Sequence, residues 1–249
     1  MPPTLTEDWA AALDAVVDEL LQRACVEAPP VDALCVARRL GFVVAWDNQQ
    51  SGRARRVRPA LRRPDGPHEV ILLRRDARRE RHQWAIAHEL GEHFAAEGFR
   101  RLDLDPQGCS PRLREDWANA FAMRLLLPTR WVRPAAAGCR WDLLQLKATF
   151  ATASHELIAR RMLDVPQPLV ITIFDQGRLT YRWSNQHPYP PRLLPLERGC
   201  WMAAHSDGQP SQQRAGPYLV RCWPVHEPGW VREILRTEWF DDASADEFA

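Results

Sequence analysis

The chain has 249 residues, with 33 basic against 32 acidic side chains, 45% hydrophobic residues, 26% charged residues and 21 prolines. These figures describe one ordinary domain, or one domain with a small appendage. They argue against a generic nucleic-acid binder, which needs a strong basic excess. No stretch approaches the roughly 20 uninterrupted apolar residues of a membrane-spanning helix, and the acidic N-terminus lacks the apolar run of a secretory signal. The six cysteines are scattered without a C-x-x-C pair, which predicts reduced thiols in a cytoplasmic protein.

In chain order, Leu5 to Glu27 places Trp9, Leu13, Val16, Val17, Leu20, Leu21 and Ala24 at three-and-four spacing, an amphipathic helix. A short helix is predicted from Asp32, an N-cap, to Leu40, with Gly41 ending it. Phe42 to Trp46, Arg53 to Leu61 and His68 to Leu73 read as strands of a small sheet, the last two joined by the turn Pro64-Asp65-Gly66-Pro67. A long helix is expected from Ala77 to Glu97, stopped by Gly98, and another from Arg112 to Leu127, stopped by Pro128.

Two shorter helices are predicted at Trp141 to Phe150 and Ser154 to Leu163. After Pro166 the pattern turns to strand, with Leu169 to Phe174 and Arg178 to Trp183 flanking the hairpin signal Asp175-Gln176-Gly177. Asn185 to Pro217 carries no regular pattern. A strand at Tyr218 to Trp223, a short helix at Gly229 to Phe240 and a disordered acidic tail complete the expectation.

The sharpest chemical feature is Ala87-His88-Glu89-Leu90-Gly91-Glu92-His93 on the long helix. In the zinc-peptidase pattern H-E-x-x-H, histidines at i and i+4 hold one metal ion and the glutamate between them serves as general base. Here position i+4 is Glu92, and the second histidine comes one residue late. On a regular helix His88 and Glu92 differ by about 40° in direction, whereas His88 and His93 differ by about 140°. Glu92 is therefore the preferred second ligand, since carboxylates bind zinc. The alternative is His93, brought round by a π-bulge.

A third ligand is sought on the next helix. Glu115 begins Glu115-Asp116-Trp117-Ala118-Asn119, and Asn119 lies one turn along, spaced to hydrogen-bond a ligand and fix its orientation. One histidine and two carboxylates make a hard donor set for Zn²⁺, with Mn²⁺ or Fe²⁺ as competitors.

The chain resembles the ImmA/IrrE family of metallopeptidases from about Ala28 to about Trp183. The resemblance rests on Pro29-Pro30-Val31-Asp32, Ala37-Arg38-Arg39-Leu40-Gly41-Phe42, Ala87-His88-Glu89-Leu90-Gly91, Glu115 with Ala118-Asn119-Ala120-Phe121-Ala122, Leu125-Leu126-Leu127-Pro128, and Phe150 to Leu163. It implies that His88 and Glu115 are zinc ligands and that Glu89 is the general base. The family's second ligand histidine falls on Glu92. The resemblance further implies a bacterial stress or mobile-element regulator that cleaves or relieves a helix-turn-helix repressor.

The expected fold class is α+β: a helical zincin-like peptidase core with a small N-terminal β-sheet over residues 1–166, then a C-terminal β-rich module with an acidic tail over 167–249. The expected function is a metal-dependent endopeptidase. The alternatives are a catalytically degenerate binding protein that sequesters a regulator, and a DNA-binding regulator using the helix pair around Ser154.

Three further features read as structural. Arg53, Arg55, Arg56, Arg58, Arg62 and Arg63 alternate with apolar residues as on the solvated side of a strand. His68, His82, His155, His187, His205 and His226 lack ligand spacing, and the eleven tryptophans read mainly as core.

Overall fold

In the computed structural model, which describes residues 7–49, 52–57, 69–186, 190 and 192–240, the N-terminal helical pattern folds as α1 (Glu7–Arg23). Its buried face carries Leu13, Val16, Val17, Leu20 and Leu21, the residues whose spacing predicted it. α2 (Ala33–Arg39) starts where Asp32 caps it, the carboxylate accepting from the Leu34 and Cys35 N–H groups at 2.9 and 3.1 Å. β1 (Val43–Trp46), β2 (Ala54–Val57) and β3 (Val70–Leu73) form a sheet in the order β1-β3-β2, with β1 parallel and β2 antiparallel to β3. The predicted turn at Pro64 to Pro67 and the strand continuation past Val57 lie outside the described residues.

α3 (Arg79–Arg101) and α4 (Pro111–Leu126) are the helices on which the chemical motif sits. Ser110 caps α4, its hydroxyl accepting from the Leu113 N–H at 3.2 Å, and Pro111 occupies the first turn, where its missing N–H leaves no bond unmade. Gly98 does not end α3 as expected. It lies inside the helix because a Cβ there would stand 1.9 Å from the Trp117 ring, so the glycine is required by packing. Trp117 is fully buried and meets Trp9 and Phe99 at ring-centroid distances of 5.3 and 5.4 Å.

α5 (Thr129–Gly138) is a helix the sequence pattern did not indicate, since Pro134 falls in its middle. α6 (Leu143–Thr149) and α7 (His155–Arg161) occupy the two short predicted helices. By compactness the chain divides into two units. One comprises residues up to Arg140 together with Gln145–Ser154, and the other Trp141–Leu144 together with residues from His155 onward.

The second unit is built on five antiparallel strands. β4 (Leu169–Asp175), β5 (Arg178–Ser184), β6 (Ser211–Ala215), β7 (Tyr218–Glu227) and β8 (Trp230–Trp239) run in the order β5-β4-β8-β7-β6. Two expectations are corrected here. Gly229 to Phe240 contains the strand β8, not a helix: it lies between β4 and β7, and with a helix against each sheet face residues 233–237 are all buried and show no alternation. The segment left irregular contains α8 (Pro195–Asp207) and β6. The acidic tail lies outside the described residues.

Alternate residues of β8 show what covers each sheet face. Thr237 bonds Glu197 of α8 at 2.6 Å, and Arg232 bonds Glu156 of α7 at 2.9 Å, so α8 and α7 lie on opposite faces. The architecture is α+β. Among the described residues, no helix is long and apolar enough to cross a membrane.

Candidate metal centre

The site grows from the close approach of α3 and α4. An ideal Cβ on Gly91 would lie 3.0 Å from both the Cα and the carbonyl oxygen of Ala118, so the two backbones nearly touch at this point. One turn of α3 before Gly91 is His88, and one turn of α4 before Ala118 is Glu115. The approach therefore brings these two side chains together: His88 Nε2 lies 3.6 Å from Glu115 Oε2 and 3.5 Å from Glu92 Oε1. Ligand atoms of all three residues fall within 4.8 Å of one another.

This spacing fits a metal ion. Two ligand atoms at zinc's bond length of about 2.0 to 2.1 Å and a tetrahedral angle stand about 3.3 Å apart, close to the observed separations. The donor chemistry agrees, because Glu92 and Glu115 repel each other unless a cation lies between them. His88 has 17% of its side chain exposed, against 42% and 56% for Glu92 and Glu115. The cluster is thus rooted in the helix pair and opens to solvent on its carboxylate side. Asn119 donates from Nδ2 to Glu115 Oε1 at 2.9 Å, which fixes the orientation of that carboxylate.

His93 lies elsewhere. α3 runs unbroken through it, and its Nδ1 is 2.9 Å from Glu69 Oε2 and 3.1 Å from Arg56 Nη1. Its ring also packs edge-on against Phe42 and Phe94, at 4.9 and 4.6 Å between centroids. The direction of His93 follows from helix periodicity, as does the direction of Glu92.

Glu89 is buried, with 6% of its surface exposed. Burial pushes its carboxyl above the ordinary glutamate range and the charge of Glu92 adds to this, while His88, Arg56 and a hydrogen bond from the Arg56 backbone N–H pull it back. A carboxyl whose proton affinity is raised suits the role of general base.

Arg56 is thus a participant that sequence alternation hid. The alternation predicts a solvated strand residue, yet its guanidinium bonds Glu69 at 2.8 Å and its backbone N–H reaches Glu89. Nothing local in the sequence signals a contact across more than 30 residues. Of the other basic residues, Arg55 pairs with Asp47, while Arg53, Arg74, Arg75 and Arg81 line a recess of about 260 Å³ with Asp76 and His82. Arg58, Arg62, Arg63, His68 and His187 lie outside the described residues.

The comparisons with known proteins come to the same region. A peptidase family model, the IrrE N-terminal-like domain, matches residues 39–163. No curated protein matches. Among solved structures, a Mycobacterium tuberculosis transcriptional regulator is similar with a TM-score of 0.62 at 18% identity, over 91% of this chain and 75% of that one.

Proposed function

Since the chain belongs to the IrrE N-terminal-like family of peptidases, we propose that it is a metal-dependent endopeptidase whose metal is held by His88, Glu92 and Glu115. The observation that carries this reading is the convergence of those three side chains beside the buried Glu89. Zinc in such a site supplies Lewis acidity that polarises a scissile carbonyl and lowers the pKa of water. The chain's own residues do the rest. Glu89 takes the proton from the attacking water and delivers it to the leaving amine, and its raised proton affinity favours the first transfer.

Asn119 holds Glu115 in place, and the Arg56 N–H holds Glu89. The carboxylate side of the site is open to solvent, and it is from this side that the proposed polypeptide substrate approaches. The substrate proposed is a helix-turn-helix repressor, in a cytoplasmic regulatory pathway. The hard donor set also admits Mn²⁺ or Fe²⁺.

A second reading, a binding protein that sequesters a regulator, draws support from Glu92 standing where the family pattern implied by the sequence has histidine. A third, DNA reading by α7, is disfavoured. Arg161 is 4% exposed and bonded to Asp164, and Arg160 stacks on Tyr181 and pairs with Glu156.

The test incubates the zinc-loaded chain with repressors encoded beside its gene. Cleavage abolished by Glu89→Gln and by chelation is expected. Tight binding without cleavage in the wild type would move the assignment to sequestration.

A further inference from the structure

The second unit contains another convergence of metal-ligating side chains, built by three elements. β7 and β8 pair with Pro224 opposite Glu233. His226, two residues beyond Pro224, therefore shares a sheet face with Glu233. α8 covers that face, and His205 in its last turn reaches the same point. Between the middle of α8 and that face lies an apolar core, Cys200 and Ala204 of the helix against Phe174, Val220, Cys222 and Leu235 of the sheet, so the polar cluster closes one end of this core.

The Glu233 side chain is 0% exposed. Its Oε1 lies 2.8 Å from His205 Nδ1 and 2.8 Å from His226 Nε2, and its Oε2 accepts from Trp201 Nε1 at 3.1 Å. A carboxylate this deep requires strong partners or a cation. Two imidazole nitrogens aimed at one acceptor-only oxygen each carry a proton in this arrangement. Moving that proton to the outer ring nitrogen of each histidine turns both inner nitrogens into lone-pair donors facing a buried anion.

The three donor atoms lie within 4.8 Å of one another. His205 and His226 keep 46% and 30% of their side chains exposed, which provides an entry path and room for water on the outer side. Burial raises the Cys200 and Cys222 thiols, leaving them protonated and outside the donor set.

We propose that His205, His226 and Glu233 form a second divalent-metal site, taking zinc through two imidazole nitrogens and one carboxylate oxygen with water completing the shell. Two imidazoles and a carboxylate are a donor set that zinc accepts. The Trp201 N–H orients the carboxylate from behind. The ion ties the end of α8 to the β7–β8 hairpin and so stabilises the second unit. The site shares no residue with the His88 cluster and does not depend on peptidase activity.

The test titrates zinc calorimetrically into the metal-free full chain carrying His88→Ala and Glu115→Ala, with and without His205→Ala plus His226→Ala. The first protein is expected to bind one equivalent and to melt at a higher temperature with zinc. The second is expected to bind at least about 100-fold more weakly. Failure of the first protein to bind zinc, or equal uptake by both, would overturn the proposal. Circular dichroism without metal checks folding. If the double histidine variant melts early, His226→Gln, which keeps an N–H for Glu233, is used instead, and undiminished zinc affinity there would also overturn it.

Discussion

Gly91 stands so close to Ala118 that an added Cβ would lie 3.0 Å from two backbone atoms of that residue. This contact sets the separation of α3 and α4, and with it the 3.6 Å between His88 and Glu115. Gly91→Ala gains about 1 kcal/mol of helix propensity but forces apart backbone that has no rotamer to yield. Overpacking of about 1 to 3 kcal/mol then prevails. The expected result is a lower melting temperature, at about 2 to 4 °C per kcal/mol for a chain of this size, together with weaker zinc binding. Gly98→Ala, with 1.9 Å to the Trp117 ring, is expected to be more damaging in a thermal melt.

Glu89 is held at a cost to the fold. Its carboxyl is raised first by burial and then by Glu92. The folded chain therefore holds this proton more tightly than the unfolded chain. The linked stability is fully present below the unfolded pKa and is lost as pH rises through the folded one. Glu89→Gln removes the penalty. In the metal-free protein at neutral pH it should raise the melting temperature while abolishing any peptidase activity, and the gap from wild type should shrink as pH falls toward the ordinary glutamate value of 4.5. A variant that melts below wild type at neutral pH would contradict this.

In the second unit, Glu197 is fully buried and fixes α8 to the sheet. It accepts from both terminal nitrogens of Arg182 at 3.0 Å, from Thr237 at 2.6 Å and from the Leu194 N–H at 2.7 Å. Glu197→Ala leaves a buried guanidinium without its carboxylate, a loss of about 3 to 5 kcal/mol. Urea unfolding should show it. Replacing both partners, as Glu197→Leu with Arg182→Met, is expected to lose less than Glu197→Ala alone.

The sequence was most informative where periodicity alone fixes direction. One turn of helix decides that Glu92 lies beside His88 and that His93 faces Glu69, and the same periodicity places Asn119 against Glu115. It was least informative where burial on both faces erases alternation, as in β8. There the stronger signal was Pro228-Gly229, a turn dipeptide with Gly229 at φ +74°. The meeting of His205, His226 and Glu233 had no local signature, because a helix end and two strands contribute one residue each. Arg56 was hidden for the same reason, since its partners arrive from Glu69, just before β3, and from α3.

The proposed metal set is completed by Glu92, and not His93, with His88 and Glu115. It is tested most directly by elemental analysis of gently purified protein in a His205→Ala, His226→Ala background, comparing the parent with Glu92→Ala and His93→Ala. About one metal ion per chain in the parent, lost on Glu92→Ala and kept on His93→Ala, is the predicted result. Metal kept on Glu92→Ala and lost on His93→Ala, or a metal-free parent, would contradict it.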